Sequence, residues 1–192
     1  MLISMAIEGV TPLICRRFTD EAAMNATNGT RSSVVGSQRT PQDEAETGLY
    51  KANDGTPVIP AVNLMRCMID AGKFFKNGKS KVTTQKESLI PACVSIHEIL
   101  LPIIHEQAWK VDTRPIRIPA TGGRVLRHRP MFDDWRLEFT VDLDTSVVSP
   151  QLFREIVDTA GKRVGLGDFR PGTKGPYGRF TVVKWECDKV TK

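Results

Sequence analysis

Between Trp135 and Leu143 the chain alternates strictly. Trp135, Leu137, Phe139, Val141 and Leu143 are apolar, and Arg136, Glu138, Thr140 and Asp142 between them are polar. A period of two sustained over this length describes a strand with one buried and one wet face. Such a strand needs partners in a sheet and a layer over its apolar side. The next residues supply that layer. Ser149-Pro150 starts a helix, Leu152, Phe153, Ile156, Val157 and Ala160 give it an apolar stripe, and Gly161 is its expected stop. A glycine-rich loop from Gly165 to Gly178 then leads into a last strand, Phe180 to Trp185.

The first half reads in the same terms. Leu2 to Ile7 is an apolar run closed by Glu8-Gly9, as in a buried strand. Leu64, Met65, Met68, Ile69, Gly72 and Phe75 share one face of a helix expected over 62–75. Val94 to Ile96 and Ile99 to Ile104 read as strand. Val111 to Ile118 and Gly123 to Met131 flank the turn Pro119-Ala120-Thr121-Gly122-Gly123, a hairpin signature. The order β-α-β-β-α-β belongs to the α+β class and fits a ferredoxin-like or RRM-like split βαβ sheet with two helices. Residues 19–57, rich in Thr, Ser, Asn, Gly and Gln, read as a flexible loop insertion, and 108–131 as a basic β-hairpin. With 192 residues, the expectation is a single domain spanning 1–192.

Several classes fall away. No apolar run reaches the roughly 20 residues of a membrane span, so no membrane partner is expected. MLISMAIEGV lacks the basic start and small-residue cleavage pattern of a signal peptide. The four cysteines (Cys15, Cys67, Cys93, Cys187) are far apart and form no CxxC, so a cytoplasmic protein with reduced thiols is the natural reading. His97 and His105 are eight apart rather than four, so HExxH geometry is absent and no metal or other cofactor is expected. Gly72 to Ser80 has five residues between its glycines where a P-loop needs four. There is no GxSxG.

The charge is segregated. Lys+Arg is 27 against Asp+Glu 22, a net +5. Three windows, 73–86, 110–129 and 162–184, together carry +15, leaving −10 for the rest. Asp112 and Asp168 are the lone acids in the second and third windows. Arginine presents a rigid donor fork to phosphate and stacks on bases, and each neutralised phosphate releases counterions. The glycine loop adds backbone that a ligand can approach closely, flanked by Arg170, Lys174 and Arg179. Phe169 and Tyr177 in that loop are available for stacking on bases or for loop packing.

These segments resemble the RAMP superfamily, the RRM-fold proteins of CRISPR systems. Val58-Ile59-Pro60-Ala61-Val62-Asn63-Leu64 resembles the "IPGSSLKG" start of that superfamily's first helix, with Ala61-Val62-Asn63 in place of Gly-Ser-Ser. Gly165-Leu166-Gly167 and Gly175-Pro176-Tyr177-Gly178-Arg179-Phe180 resemble its GhG…GxGxh loop, with a longer spacer. Ile7 to Leu13 looks like its first strand, and the basic hairpin is similar to the thumb of the subunits that line a guide RNA. The chain is short for such a subunit, as a compact phage or mobile-element relative would be.

The resemblance implies a non-catalytic subunit binding single-stranded nucleic acid, with RNA favoured over DNA. It implies side-by-side assembly as a homo-oligomer or filament, together with other subunits of a ribonucleoprotein complex. The implied contacts are Arg16 and Arg17 after the first strand and Arg66, Lys73 and Lys76 on and after the first helix. The hairpin adds Arg114, Arg117, Arg124, Arg127 and Arg129, and the last window adds Arg163, Arg170, Lys174 and Arg179. Two alternatives stay open. One is a metal-independent endoribonuclease recruiting His128, Tyr177 or Lys174 as acid–base groups. The other is a phage structural or interaction module that mimics such a subunit.

Overall fold

In the computed structural model, which describes residues 1–17, 40–117 and 122–187, the chain opens on β1 (Leu2–Gly9) and the short β2 (Leu13–Ile14). Then follow α1 (Pro41–Thr47), β3 (Tyr50–Lys51), β4 (Pro57–Pro60) and α2 (Ala61–Gly72). The middle holds β5 (Lys76–Asn77), β6 (Ser80–Lys81), α3 (Ile90–Cys93), β7 (Val94–Ile96) and β8 (Leu100–Pro102). The last third is β9 (Lys110–Arg117), β10 (Arg124–Phe132), β11 (Arg136–Leu143), α4 (Pro150–Thr159) and β12 (Phe180–Cys187). This is a mixed α and β chain whose strand pairs are all antiparallel among the described residues. No described helix is long and apolar enough to cross a membrane.

The largest sheet has the order β12-β1-β11-β7. On its inner face Ile3, Met5 and Ile7 are at most 2% exposed and pair in register with Val141, Phe139 and Leu137. The α2 stripe (Leu64, Cys67, Met68, Ala71) and the α4 stripe (Phe153, Ile156, Val157) join the same apolar cluster. Each large side chain buried this way contributes about 1.5–3 kcal/mol before entropy is counted. Ser149 caps α4 by accepting the Leu152 N–H at 3.2 Å.

On the outer face the register aligns Glu186, Ser4 and Thr140 in one row. The next rows are Lys184, Ala6 and Glu138, then Thr181, Glu8 and Arg136. None of these is aromatic. The stacking platform with which RRM sheets grip bases is missing from these rows, and their two cations, Arg136 and Lys184, are paired with Glu138 and Glu186.

Two readings need correction. Part of the 19–57 segment is ordered structure, not loop. From Thr40 onward it forms α1, with a capping box in which the Thr40 hydroxyl accepts the Asp43 N–H and the Asp43 carboxylate accepts the Thr40 N–H. Residues 19–39 of the expected flexible insertion, and the turn at 119–121, lie outside the described residues. Nor does Gly161 end the last helix. The helix continues through a π-turn (Ala160–Val164) to Gly165, which takes φ +75°. Gly161 is instead a close-approach position, because a Cβ there would lie 2.1 Å from the Phe180 carbonyl oxygen.

The hairpin β9–β10 extends through β2 into a second sheet, β2-β10-β9. The glycine loop anchors on the same β2, with the Asp168 N–H donating to the Ile14 carbonyl at 2.7 Å and the Gly178 N–H to the Pro12 carbonyl at 2.8 Å. Hairpin base and glycine loop are thereby fixed side by side.

Candidate nucleic-acid interface

Three arginines from three distant segments converge on one cleft of about 250 Å³. Arg16 arrives from the exit of β2, Arg66 from the second turn of α2, and Arg170 from the glycine loop. Tyr50, Asn63 and the backbone of Gly165 and Gly167 also line it, together with one acid, Asp168. Gly165 and Gly167 both have φ +75°, a conformation that only glycine adopts freely. At Gly167 a Cβ would also lie 2.3 Å from the Ile14 carbonyl oxygen, so glycine here is what lets the loop lie against β2. Arg170 donates to the Gly167 carbonyl at 3.0 Å, which holds its guanidinium against the loop. The N-terminal end of α2 adds the positive end of a helix dipole beside Asn63.

Cys67 on the floor of this cleft is held in the protonated thiol form. Its thiol donates to the Gly165 carbonyl at 3.2 Å, and burial pushes its pKa up to about 12. A wider depression of about 440 Å³ on another part of the surface is lined by Asp142 and Asp144 and by no Lys or Arg. It has the wrong sign for a polyanion.

The hairpin lies across the glycine loop. Arg129, only 7% exposed at its side chain, donates to Asp112 at 2.8 Å and to Asp168 at 2.8 Å. Asp112 also receives Arg114 at 2.7 Å, and Arg16 lies 4.0 Å from Asp168. The Arg114 guanidinium sits 4.5 Å from the Tyr177 ring centroid and 5.9 Å from that of Phe169, and it also donates to the Tyr177 hydroxyl. That hydrogen bond, more than the Asp112 pair, raises the Arg114 pKa.

The other expected contacts are scattered. Arg117 and Arg124 are exposed and stand directly opposite each other across the hairpin. Arg127, half-buried, lies 3.7 Å from Glu44 of α1, and His128 lies 4.0 Å from the same carboxylate while bonding Thr113 at 2.8 Å. Arg17 reaches over Tyr50. Lys73 shares Asp70 with Arg66, at 2.6 and 3.5 Å. Lys73 and the exposed Lys76 lie beyond the far end of α2, Lys73 about 10 Å from Arg66 along the helix axis. Arg163 stacks over Phe74, and Arg179 donates to the Lys162 carbonyl. Lys174 is exposed at φ +65°. The expected set therefore divides into a cleft group, a hairpin group, a peripheral group and one buried member, Arg129.

Sequence reasoning missed Tyr50, because it lies in the presumed loop, and the partners of Arg129. A signal for the latter existed. The lone acids of two basic windows, Asp112 and Asp168, meet on the same arginine. Among the described residues no three His, Cys, Asp or Glu side chains are grouped so as to hold a metal ion.

The fold of this chain is similar to that of a chain in a type III-B Cmr-beta complex bound to cognate target RNA. The TM-score is 0.59 at 12% identity, covering 96% of this chain and 59% of that one. The two share a fold. This chain spans only 59% of that neighbour's length. A chain of a type IV-B CRISPR complex aligns over 100% of this chain and 93% of its own length, with TM-score 0.49 and 12% identity. No family model and no curated protein sequence matches the chain.

Proposed function

We propose that this chain is a non-catalytic subunit of a CRISPR-type ribonucleoprotein complex, binding single-stranded nucleic acid, RNA favoured, and assembling side by side along the strand. The observation that carries the reading is the convergence of Arg16, Arg66 and Arg170 on a glycine-walled cleft beside the arginine hairpin. Likeness of fold to a chain from an RNA-bound complex supports it. We read the four-stranded sheet, with its two terminal strands adjacent and α2 and α4 against its inner face, as the split βαβ plan. Phosphates thread the cleft and pass along the hairpin, and the outer sheet face, whose cations are already paired with acids, stays away from the strand. Two of the three candidate acid–base groups have other duties, while Lys174 is exposed. His128 is bonded to Thr113, and Tyr177 is held by Arg114.

The test is a fluorescence-anisotropy titration with matched single-stranded RNA and DNA at two salt concentrations. Five exposed or half-exposed arginines (Arg16, Arg66, Arg117, Arg124, Arg170) engaging five phosphates would weaken binding about a hundredfold between 50 and 200 mM salt. Bound copies should increase with oligonucleotide length. No binding at low salt would overturn the proposal. Metal-independent cleavage of the RNA would replace it with the endoribonuclease reading.

A further inference from the structure

Phe169 is the anomaly of the glycine loop. It is a bulky residue at φ +51°, in the left-handed region that such side chains rarely occupy. The loop is built around that conformation. A Cβ at Gly175 would lie 1.8 Å from the Phe169 carbonyl oxygen, so only glycine fits opposite it. The same carbonyl accepts the Tyr177 N–H at 3.2 Å, and the Phe169 N–H donates to the Asp168 carboxylate at 2.9 Å. Burial offsets the strain only in part, because Phe169 stays 37% exposed. Strain that packing offsets only in part clusters at ligand-contacting positions.

The surroundings indicate the use. The Phe169 and Tyr177 rings lie 6.1 Å apart and 39° from parallel, with the Arg114 guanidinium against both. Asp168 and Arg170, the neighbours of Phe169 in sequence, line the arginine cleft. A partly exposed aromatic ring is therefore the sequence neighbour of Arg170, one of the cleft arginines.

We infer that Phe169 is a nucleobase-stacking residue, with Tyr177 and Arg114 as the wall that holds it. A base of the bound strand lies on its exposed face while the adjacent phosphate enters the cleft. The inference rests on the proposed single-strand binding and deepens it by naming a base contact among otherwise electrostatic ones. Stacking tolerates any base, so the contact adds affinity without fixing sequence.

The experiment compares a single-stranded oligonucleotide carrying 2-aminopurine with an abasic-spacer strand of equal length and charge. The proteins are wild type, Phe169→Leu and Phe169→Trp, each checked by thermal melting. Wild type should quench the 2-aminopurine and prefer the base-bearing strand by about five- to a hundredfold. Phe169→Leu should lose quench and preference yet keep the salt slope, and Phe169→Trp should retain both. Wild type binding both strands equally with a steep salt slope overturns the stacking role alone. An unchanged preference in Phe169→Leu does the same. Wild type binding neither strand at low salt overturns single-strand binding, and the stacking role with it.

Discussion

Replacing Arg129 with Met keeps much of the side chain's volume but removes the charge between Asp112 and Asp168. Asp112 is 5% exposed at its side chain, so it loses an ion pair it cannot exchange for bulk water. Removing one partner from a buried pair costs about 3–5 kcal/mol. Three features put this case at the lower end. Asp112 keeps Arg114 at 2.7 Å, Asp168 is already 25% exposed, and the buried Arg129 Nε has no partner among the described residues to lose. The expected loss is therefore about 3 kcal/mol, which for a chain of this size lowers the melting temperature by roughly 6–12 °C. Urea denaturation read by circular dichroism measures it, with Arg117→Met as an exposed control expected to stay within about 0.5 kcal/mol. The folded fraction of the Arg129→Met protein should bind oligonucleotides with the wild-type salt slope, because this guanidinium faces two carboxylates rather than a phosphate. A loss below about 1 kcal/mol, no larger than that of the control, would refute the account of a buried bridge between hairpin and loop.

Gly175→Ala should destabilise the protein by at least about 2 kcal/mol in the same denaturation assay, since its Cβ would meet backbone that cannot swing aside. Burial pushes Cys15 and Cys67 up to about 12 and raises Cys93 as well, while Cys187 is exposed. Iodoacetamide at pH 8 should label native protein at Cys187 alone and all four cysteines after denaturation, as read by mass spectrometry. The N–H groups of Glu106 and then Gln107 donate to the Asp134 carboxylate and hold its pKa below the ordinary value. Its contribution to stability is present above the unfolded value near pH 4 and is lost as pH falls through the lower folded value. Asp134→Asn should flatten that acid limb of a stability–pH profile and leave neutral stability less affected.

The elements legible in the sequence are those written by local periodicity. The alternation at 135–143 is β11, the stripe at 152–160 is α4, and the two runs flanking the glycine turn are β9 and β10. Helix α1 is harder to read because only Ala45 on it is buried. Its one clear mark is the Thr40-x-x-Asp43 box with Pro41, easily lost in polar surroundings. The cleft was less legible still. Arg16, Arg66 and Arg170 could be named as basic residues, but their convergence depends on the glycine loop docking against β2. Arg129 shows the converse limit. By type and neighbourhood it resembles Arg127, and only tertiary pairing with Asp168 separates a structural bridge from a surface cation.

The cations also differ in what a phosphate would gain from them, which ranks the binding residues. Arg66 already leans on Asp70, Arg127 on Glu44 and Arg16 on Asp168. A phosphate must compete with those carboxylates, although the exposed pairs among them are worth only about 0–1 kcal/mol each. Arg117 and Arg124 have no carboxylate partner among the described residues, and they oppose each other across the hairpin, where like charges are destabilising. An incoming phosphate relieves that repulsion and displaces no acid. Arg117→Ala with Arg124→Ala should therefore flatten the salt slope by about 1.4 on single strands, close to the full value for two phosphates. Arg66→Ala should change it by less than half that amount. Equal effects from all three arginines would mean that the acids beside the cleft do not screen it, and that the site works through net charge rather than through the geometry described.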